Sequence, residues 1–206
     1  MREAPVDSVP PTVQTATAPK AKRRSKSAMR ELVETVLLTA IVFLAIRAVA
    51  QNYQVDGHSM DPTMNNGEFV IVLKAVYWFH PPQTGDIIVL QYPEDTSRNF
   101  IKRVIGAPGD IVAVNNGHVY VNGHALTEPY IAQAPAYTVA PLTVPVGKYW
   151  VLGDNRNDSN DSHVWGFLPA NEVIGKAWVV YWPPSHWRAV PHINYGNTLV
   201  APATAK

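Results

Sequence analysis

The sequence contains no cysteine, which excludes disulfides, thiolate chemistry and Cys-based zinc sites. Its seven histidines show neither HxxxH nor HExxH spacing, so the common helical zinc signatures are missing too. No internal repeat is evident. Net charge is also scarce: 17 Lys/Arg nearly balance 16 Asp/Glu over 206 residues. That balance hides an asymmetry. Six cations (Lys20, Lys22, Arg23, Arg24, Lys26 and Arg30) follow one another with no carboxylate between them. From Gln51 onward, nine Lys/Arg face twelve Asp/Glu. The body of the chain is therefore mildly acidic and lacks the electrostatic footprint of a nucleic-acid binder. The basic run alone suits an anionic surface.

Residues 1–30 are rich in Pro, Ala, Thr, Ser and Lys with no apolar period, and are expected to be a disordered basic cytoplasmic segment. Leu32 to Ala50 then runs almost uninterrupted in apolar residues. As a helix these residues span roughly 28 Å, close to a hydrocarbon core, and 31–50 is assigned as one transmembrane helix. A buried core helix fits less well, because an uncapped apolar stretch follows a basic run. A cleaved leader would end at Ala48-Val49-Ala50, but Arg47 would stand just before that cut. The basic flank places the N-terminus in the cytoplasm and residues 51–190 outside. That region reads as β-rich: Phe69–Leu73, Ile87–Tyr92, Phe100–Ile105, a hairpin of Ile111–Val114 and His118–Val121 around Asn115-Asn116-Gly117, then Val144–Leu152 and Ile174–Trp182. Eighteen prolines and twelve glycines suit short strands joined by turns. Residues 191–206 are expected to be an irregular tail.

Three segments carry residues with possible chemistry. In Gly57-His58-Ser59-Met60-Asp61-Pro62-Thr63-Met64, a serine in a tight loop can present its hydroxyl and its own N–H to a carbonyl; an ordinary turn serine fits equally well. In Asn99-Phe100-Ile101-Lys102-Arg103-Val104-Ile105-Gly106, strand alternation puts Phe100, Lys102 and Val104 on one face. A desolvated lysine there would lose affinity for its proton and could deprotonate a serine. A lysine that buries its stem and keeps its head in water is the alternative. In Gly153-Asp154-Asn155-Arg156-Asn157-Asp158-Ser159-Asn160-Asp161-Ser162-His163-Val164-Trp165-Gly166, the carboxylates suggest either an Asx-rich loop or, less well, a calcium site without the EF-hand glycine and glutamate. Tyr77-Trp78-Phe79 is an aromatic trio that suits a membrane interface and, equally, a β-core segment or a lid over the core.

Taken together, GHSMDPT, GEFVIV, NFIKRVIGAPGD and GDNRNDSNDSHVWG followed by FLP resemble, in order and spacing, the sequence boxes of bacterial type I signal peptidases. These are Ser/Lys endopeptidases that remove signal peptides from exported proteins. The resemblance runs from the apolar stretch to about Trp182. It implies a mainly β, signal-peptidase/repressor-like catalytic domain behind one membrane helix. It further implies that Ser59 is the nucleophile, Lys102 the general base, Ser159 a partner of the lysine amine, and Asp161 a support acting through neighbours such as Arg103. Two positions depart from the family pattern. His163 stands where an arginine is usual, so one expected ion pair is weakened or becomes dependent on pH. Gly57 replaces a serine found in some members, leaving the oxyanion to the Ser59 backbone N–H unless Gly57's own backbone contributes. Met60, Phe100 and Val104 are candidate pocket walls.

The partners implied are signal-peptide-bearing pre-proteins and the phospholipid bilayer of a bacterial plasma membrane, with no nucleic acid, no cofactor and no metal. The chain is expected to act as a monomer. A self-cleaving repressor-type protease would lack the span and the GDNR box, whereas a non-catalytic envelope β-domain would lack a working Ser59–Lys102 pair. The metal-free mechanism predicts that peptide cleavage keeps its full rate in excess EDTA; strong inhibition by the chelator would restore the calcium reading.

Overall fold

The computed structural model describes residues 28–195, so the basic run before Ala28 and the tail after Tyr195 lie outside the described residues. A 22-residue helix, α1 (Ala28–Val49), comes first. It is apolar on every side and none of its residues is buried. It is long and apolar enough to cross a bilayer. At its start Arg30 pairs with Glu34 at 2.8 Å, and near its end the Arg47 guanidinium lies 5.3 Å from the Phe43 ring centre. The helix stops one residue short of the expected Ala50, where the chain enters a strand.

Among the described residues the rest is built from twelve antiparallel strands, short helical segments and turns: β1 (Ala50–Gln54), β2 (Phe69–Leu73), β3 (Ile87–Tyr92), β4 (Asp95–Gly106), β5 (Ile111–Asn115), β6 (His118–Val121), β7 (His124–Ala125), β8 (Val139–Thr143), β9 (Lys148–Leu152), β10 (Leu168–Pro169), β11 (Val173–Trp182) and β12 (Arg188–Ala189). A larger sheet runs β1-β2-β11-β3-β4-β9-β10, with β12 paired to β11, and a smaller one runs β7-β6-β5-β8. β1 escapes sequence reading because Ala-Gln-Asn-Tyr-Gln has no apolar alternation; it is an edge strand paired residue for residue with β2 from Ala50↔Leu73 to Gln54↔Phe69. The expected strand from Val144 begins only at Lys148. Pro145 and Gly147 (φ 74°) turn the chain first, closed by the Lys148 N–H on the Pro145 carbonyl at 3.2 Å. Both tight turns of the small sheet are Asn-Gly, with positive φ at Asn116, Gly117, Asn122 and Gly123; paired positive φ matches the right-handed twist of the strands.

β3 is buried on both faces, which is why it reads as an unbroken apolar run. Ile87 and Val89 pack with Val55, Met60, Met64, Val70 and Val72. Ile88 and Leu90 pack with Val104, Tyr149, Val151 and Leu168. A third cluster, including Ile105, Val112, Val114 and Trp150, fills the inner side of the small sheet. β4 touches all three, and its alternation holds: Phe100 and Val104 join the Ile88 cluster, while Ile101 joins the Ile87 cluster. Val104 is therefore core and does not line the cleft, contrary to the expectation that it forms a pocket wall.

The loop between β1 and β2 is held from below. Glu68 is buried and accepts two hydrogen bonds from Arg188 at 2.9 and 2.7 Å, and Arg188 also donates to the Thr63 carbonyl at 2.7 Å. Burial acts to raise the Glu68 pKa, but the Arg188, Asn65 and His186 hydrogen bonds outweigh it and hold the group at about 2. Because Ile88 stands opposite Lys102 in the β3–β4 register and is fully buried, Ile88→Ala should cost ~2–5 kcal/mol, read as a fall of several degrees in the thermal midpoint.

Candidate active site

Ser59 lies in the loop after β1, and Lys102 lies in the middle of β4. The Lys102 ammonium reaches the Ser59 Oγ at 2.8 Å. Its other contacts are the Ile101 carbonyl at 3.0 Å and the face of Phe100, 5.0 Å from the ring centre. Lys102 is only 3% exposed. Desolvation pulls its pKa down to about 8, against the attraction of Asp161 and Asp154. The snorkelling alternative does not hold, because the head group itself is buried and no carboxylate is hydrogen-bonded to it. A neutral amine is thereby accessible near neutral pH, beside a hydroxyl.

The loop between β9 and the four-residue helix α2 (Ser162–Trp165) clamps the Ser59 segment. Asn155 donates its backbone N–H to the Ser59 carbonyl at 3.0 Å and its side-chain amide to the His58 carbonyl at 3.1 Å. Gly153 sits so close that a methyl in place of its hydrogen would collide with the Ser59 carbonyl and the Ser159 hydroxyl. The Gly153 N–H is fixed by Asp161 Oδ2 at 2.8 Å. Ser159 is thus placed beside the Ser59 loop. Its buried hydroxyl has no hydrogen-bond partner among the described residues, so the expected bond to the lysine amine is not made here.

The partner expected for Arg103 needs correction. Arg103 forks onto Asp154, at 2.8 and 2.7 Å, with both side chains fully buried. Asp161 instead accepts from Gly153 and, through Oδ1, from His163 Nδ1 at 2.7 Å. Arg103 and Lys102 follow one another on β4, whose residues alternate between its faces, and it is Arg103 that is bonded to Asp154. Behind it lies a network that the motifs do not show. The Tyr130 ring covers the Arg103 guanidinium at 3.9 Å, and Arg156 forks onto Glu128 at 2.9 and 2.6 Å. Arg156 Nε also donates to the Gly153 carbonyl at 3.0 Å. Glu128 and Arg156 are 28 positions apart, beyond any local pattern; only the pairing of an arginine with an otherwise unexplained acid in a loop hints at it. With Asp154 taken up by Arg103 and Asp161 by Gly153 and His163, the calcium reading loses two of its three carboxylates, leaving Asp158.

The oxyanion expectation is corrected in one part. Gly57 takes a positive φ of 97° and donates its N–H to Asn66 Oδ1 at 3.0 Å, so that group is not free for a substrate. The Ser59 N–H has no protein acceptor among the described residues. A cleft of about 250 Å³ opens over the dyad, walled by Val55, His58 and Met60 on one side and by Arg98, Phe100 and Ile101 on the other. β4 pairs with β3 along its first part and gains β9 only from Arg103, so its other edge is unpaired from Asp95 to Lys102. Of the aromatic trio, Trp78 and Phe79 are exposed, whereas Tyr77 turns inward and donates to Asp86 at 3.0 Å.

A family model described as signal peptidase, peptidase S26 matches residues 29–182. A probable signal peptidase I-1 of Synechocystis sp. is 44% identical over 167 residues, covering 77% of this chain and 85% of its own. A signal peptidase I of Leptolyngbya laminosa is 41% identical over 189 residues, covering 88% and 91% respectively. A probable signal peptidase I-2 of Synechocystis sp. is 42% identical over 174 residues, covering 81% and 79%.

The close approach of Gly153 gives a direct test of the clamp. Gly153→Ala should displace the Ser59 backbone and lower kcat/KM for peptide cleavage by about 100-fold while the protein stays folded. Unchanged kinetics would mean that the loop does not position the serine.

Proposed function

Because the chain belongs to the signal peptidase S26 family, we propose that it is a membrane-anchored serine endopeptidase that cuts signal peptides from exported proteins, with Ser59 as nucleophile and Lys102 as base. One observation carries the residue assignment: a buried, carboxylate-free lysine nitrogen 2.8 Å from a serine oxygen. In the neutral form Lys102 accepts the Ser59 hydroxyl proton as Oγ attacks the scissile carbonyl. The developing oxyanion is met by the Ser59 N–H. Collapse expels the leaving amine, which takes the proton from Lys102, and an ester to Ser59 remains. Lys102 then accepts a proton from water as the oxygen attacks the ester; collapse releases the acyl group as a carboxylic acid, and Lys102 returns the proton to Ser59 Oγ, restoring both groups. No step needs a cofactor.

The unpaired edge of β4 supports a substrate that binds as an extended strand, through main-chain hydrogen bonds, with side chains directed into the cleft. Met60 and Phe100 line that cleft, which favours small residues at the first and third positions before the cut, as in Ala-x-Ala. The anchor is α1, with the N-terminus in the cytoplasm and residues 51–190 outside, as the basic flank favours. The exposed Trp78 and Phe79 suit the membrane interface.

Cleavage of a pre-protein ending its signal in Ala-x-Ala tests the assignment. Ser59→Ala, Lys102→Ala and Lys102→Arg should each lose on the order of 10³-fold or more in kcat/KM with unchanged thermal midpoints. Arginine keeps the charge but does not release its proton at working pH. A lysine whose proton leaves at about 8 is mostly protonated below that value and mostly neutral above it, so kcat/KM should climb as pH rises through about 8. Full activity in Lys102→Arg would sink the base assignment.

A further inference from the structure

Two carboxylates act on the Lys102 ammonium from a distance, Asp154 and Asp161, and they are neutralised differently. Asp154 is held by the Arg103 guanidinium, whose charge is permanent over the working range. Asp161 is hydrogen-bonded to one ionisable side chain, His163, at 2.7 Å. A carboxylate only accepts, so His163 Nδ1 carries a hydrogen and Nε2 is the nitrogen that gains or loses a proton. The ring is held in place: Tyr137 stacks on it with centres 4.0 Å apart and planes 9° from parallel. The other oxygen of Asp161 fixes the Gly153 N–H, and Gly153 abuts the Ser59 carbonyl. Asp161 therefore connects an imidazole to the dyad by position and by charge.

We propose that His163 is a positioning residue for the reaction, whose charge, passed through Asp161, adjusts how tightly the site holds the proton on Lys102. This rests on Lys102 being the base. When His163 is protonated, the charge of Asp161 is balanced and does less to retain the lysine proton. When His163 is neutral, Asp161 acts on Lys102 unopposed, and the proton is harder to release. The charged and titratable groups facing this path are few. His163 faces Asp161 and the Tyr137 ring, Tyr137 feels Arg156 and Glu128, and Lys102 faces Ser59, Asp161 and Asp154. Arg156 and Glu128 neutralise each other at 2.6 Å, and Asp154 is paired with Arg103, so Asp161 is the one of these carboxylates whose partner, His163, can change its charge.

The test is the ratio of variant to wild-type kcat/KM for pre-protein cleavage across about pH 5.5 to 9, using the full chain in lipid vesicles, with thermal midpoints measured alongside. His163→Arg keeps a fixed charge, so its ratio should rise about threefold on going from about pH 9 to about pH 7. His163→Gln has none, so its ratio should fall about threefold from the alkaline to the acid end of this range. A purely structural role lowers activity by the same factor at every pH. A ratio that stays flat in either folded variant overturns the proposal, and His163→Gln alone decides it if the arginine variant fails to fold. Flat ratios beside inactive Lys102 variants remove only this inference, whereas an active Lys102→Arg removes the base assignment too.

Discussion

Lys102 carries its ammonium where water barely reaches it and no carboxylate is bonded to it, and the surrounding residues are arranged so that this stays true. A buried lysine would normally recruit an acid, and an acid in contact would hold its proton. Here the nearby acids are engaged elsewhere. Asp154 is locked to Arg103, Glu128 to Arg156, and Asp161 to the Gly153 N–H and His163. The two buried arginines, one beneath the Tyr130 ring, thus serve the dyad without touching it. Arg103 balances the charge of Asp154, one of the two carboxylates that act on Lys102.

The sheet makes this separation possible. Consecutive residues of β4 face opposite ways, so Lys102 and Arg103, adjacent in sequence, occupy different electrostatic settings. β3 anchors the strand from both faces, and the Glu68–Arg188 pair fixes the far end of the loop that presents Ser59. The near end is tied by the two hydrogen bonds of Asn155. Serine and lysine come from segments 43 positions apart, and each is held by contacts that do not depend on the other.

Much of this was legible in the sequence where a local rule operated. Phe69–Leu73, Ile87–Tyr92 and His118–Val121 have the expected limits, because each is a short apolar or β-branched run closed by turn residues. Ser59 and Lys102 were chemically plausible singly; the order of the four boxes joined them. Rules of period and turn could not decide which aspartate Arg103 would choose, since Asp154 and Asp161 share one loop and only the three-dimensional path separates them. Nor could they show Glu128 beneath Arg156, or Asn66 occupying the Gly57 N–H, which depend on chain crossings. β1 stayed hidden because an edge strand facing solvent needs no apolar pattern. Most of the basic run and the tail after Tyr195 lie outside the described residues.

The open edge of β4 has a consequence for selectivity. An unpaired strand edge offers the same ladder of N–H and C=O groups to any extended chain, whatever its sequence, and is the feature that proteins usually shield from misassociation. Asp95 and Arg98 put charge on this one, a modest guard. On the proposed binding mode, main-chain pairing admits candidates without discrimination. Rejection falls to bulk in the cleft and to whether a segment can be drawn out into a strand at all, so a tightly folded region of a passing protein is spared by its own stability.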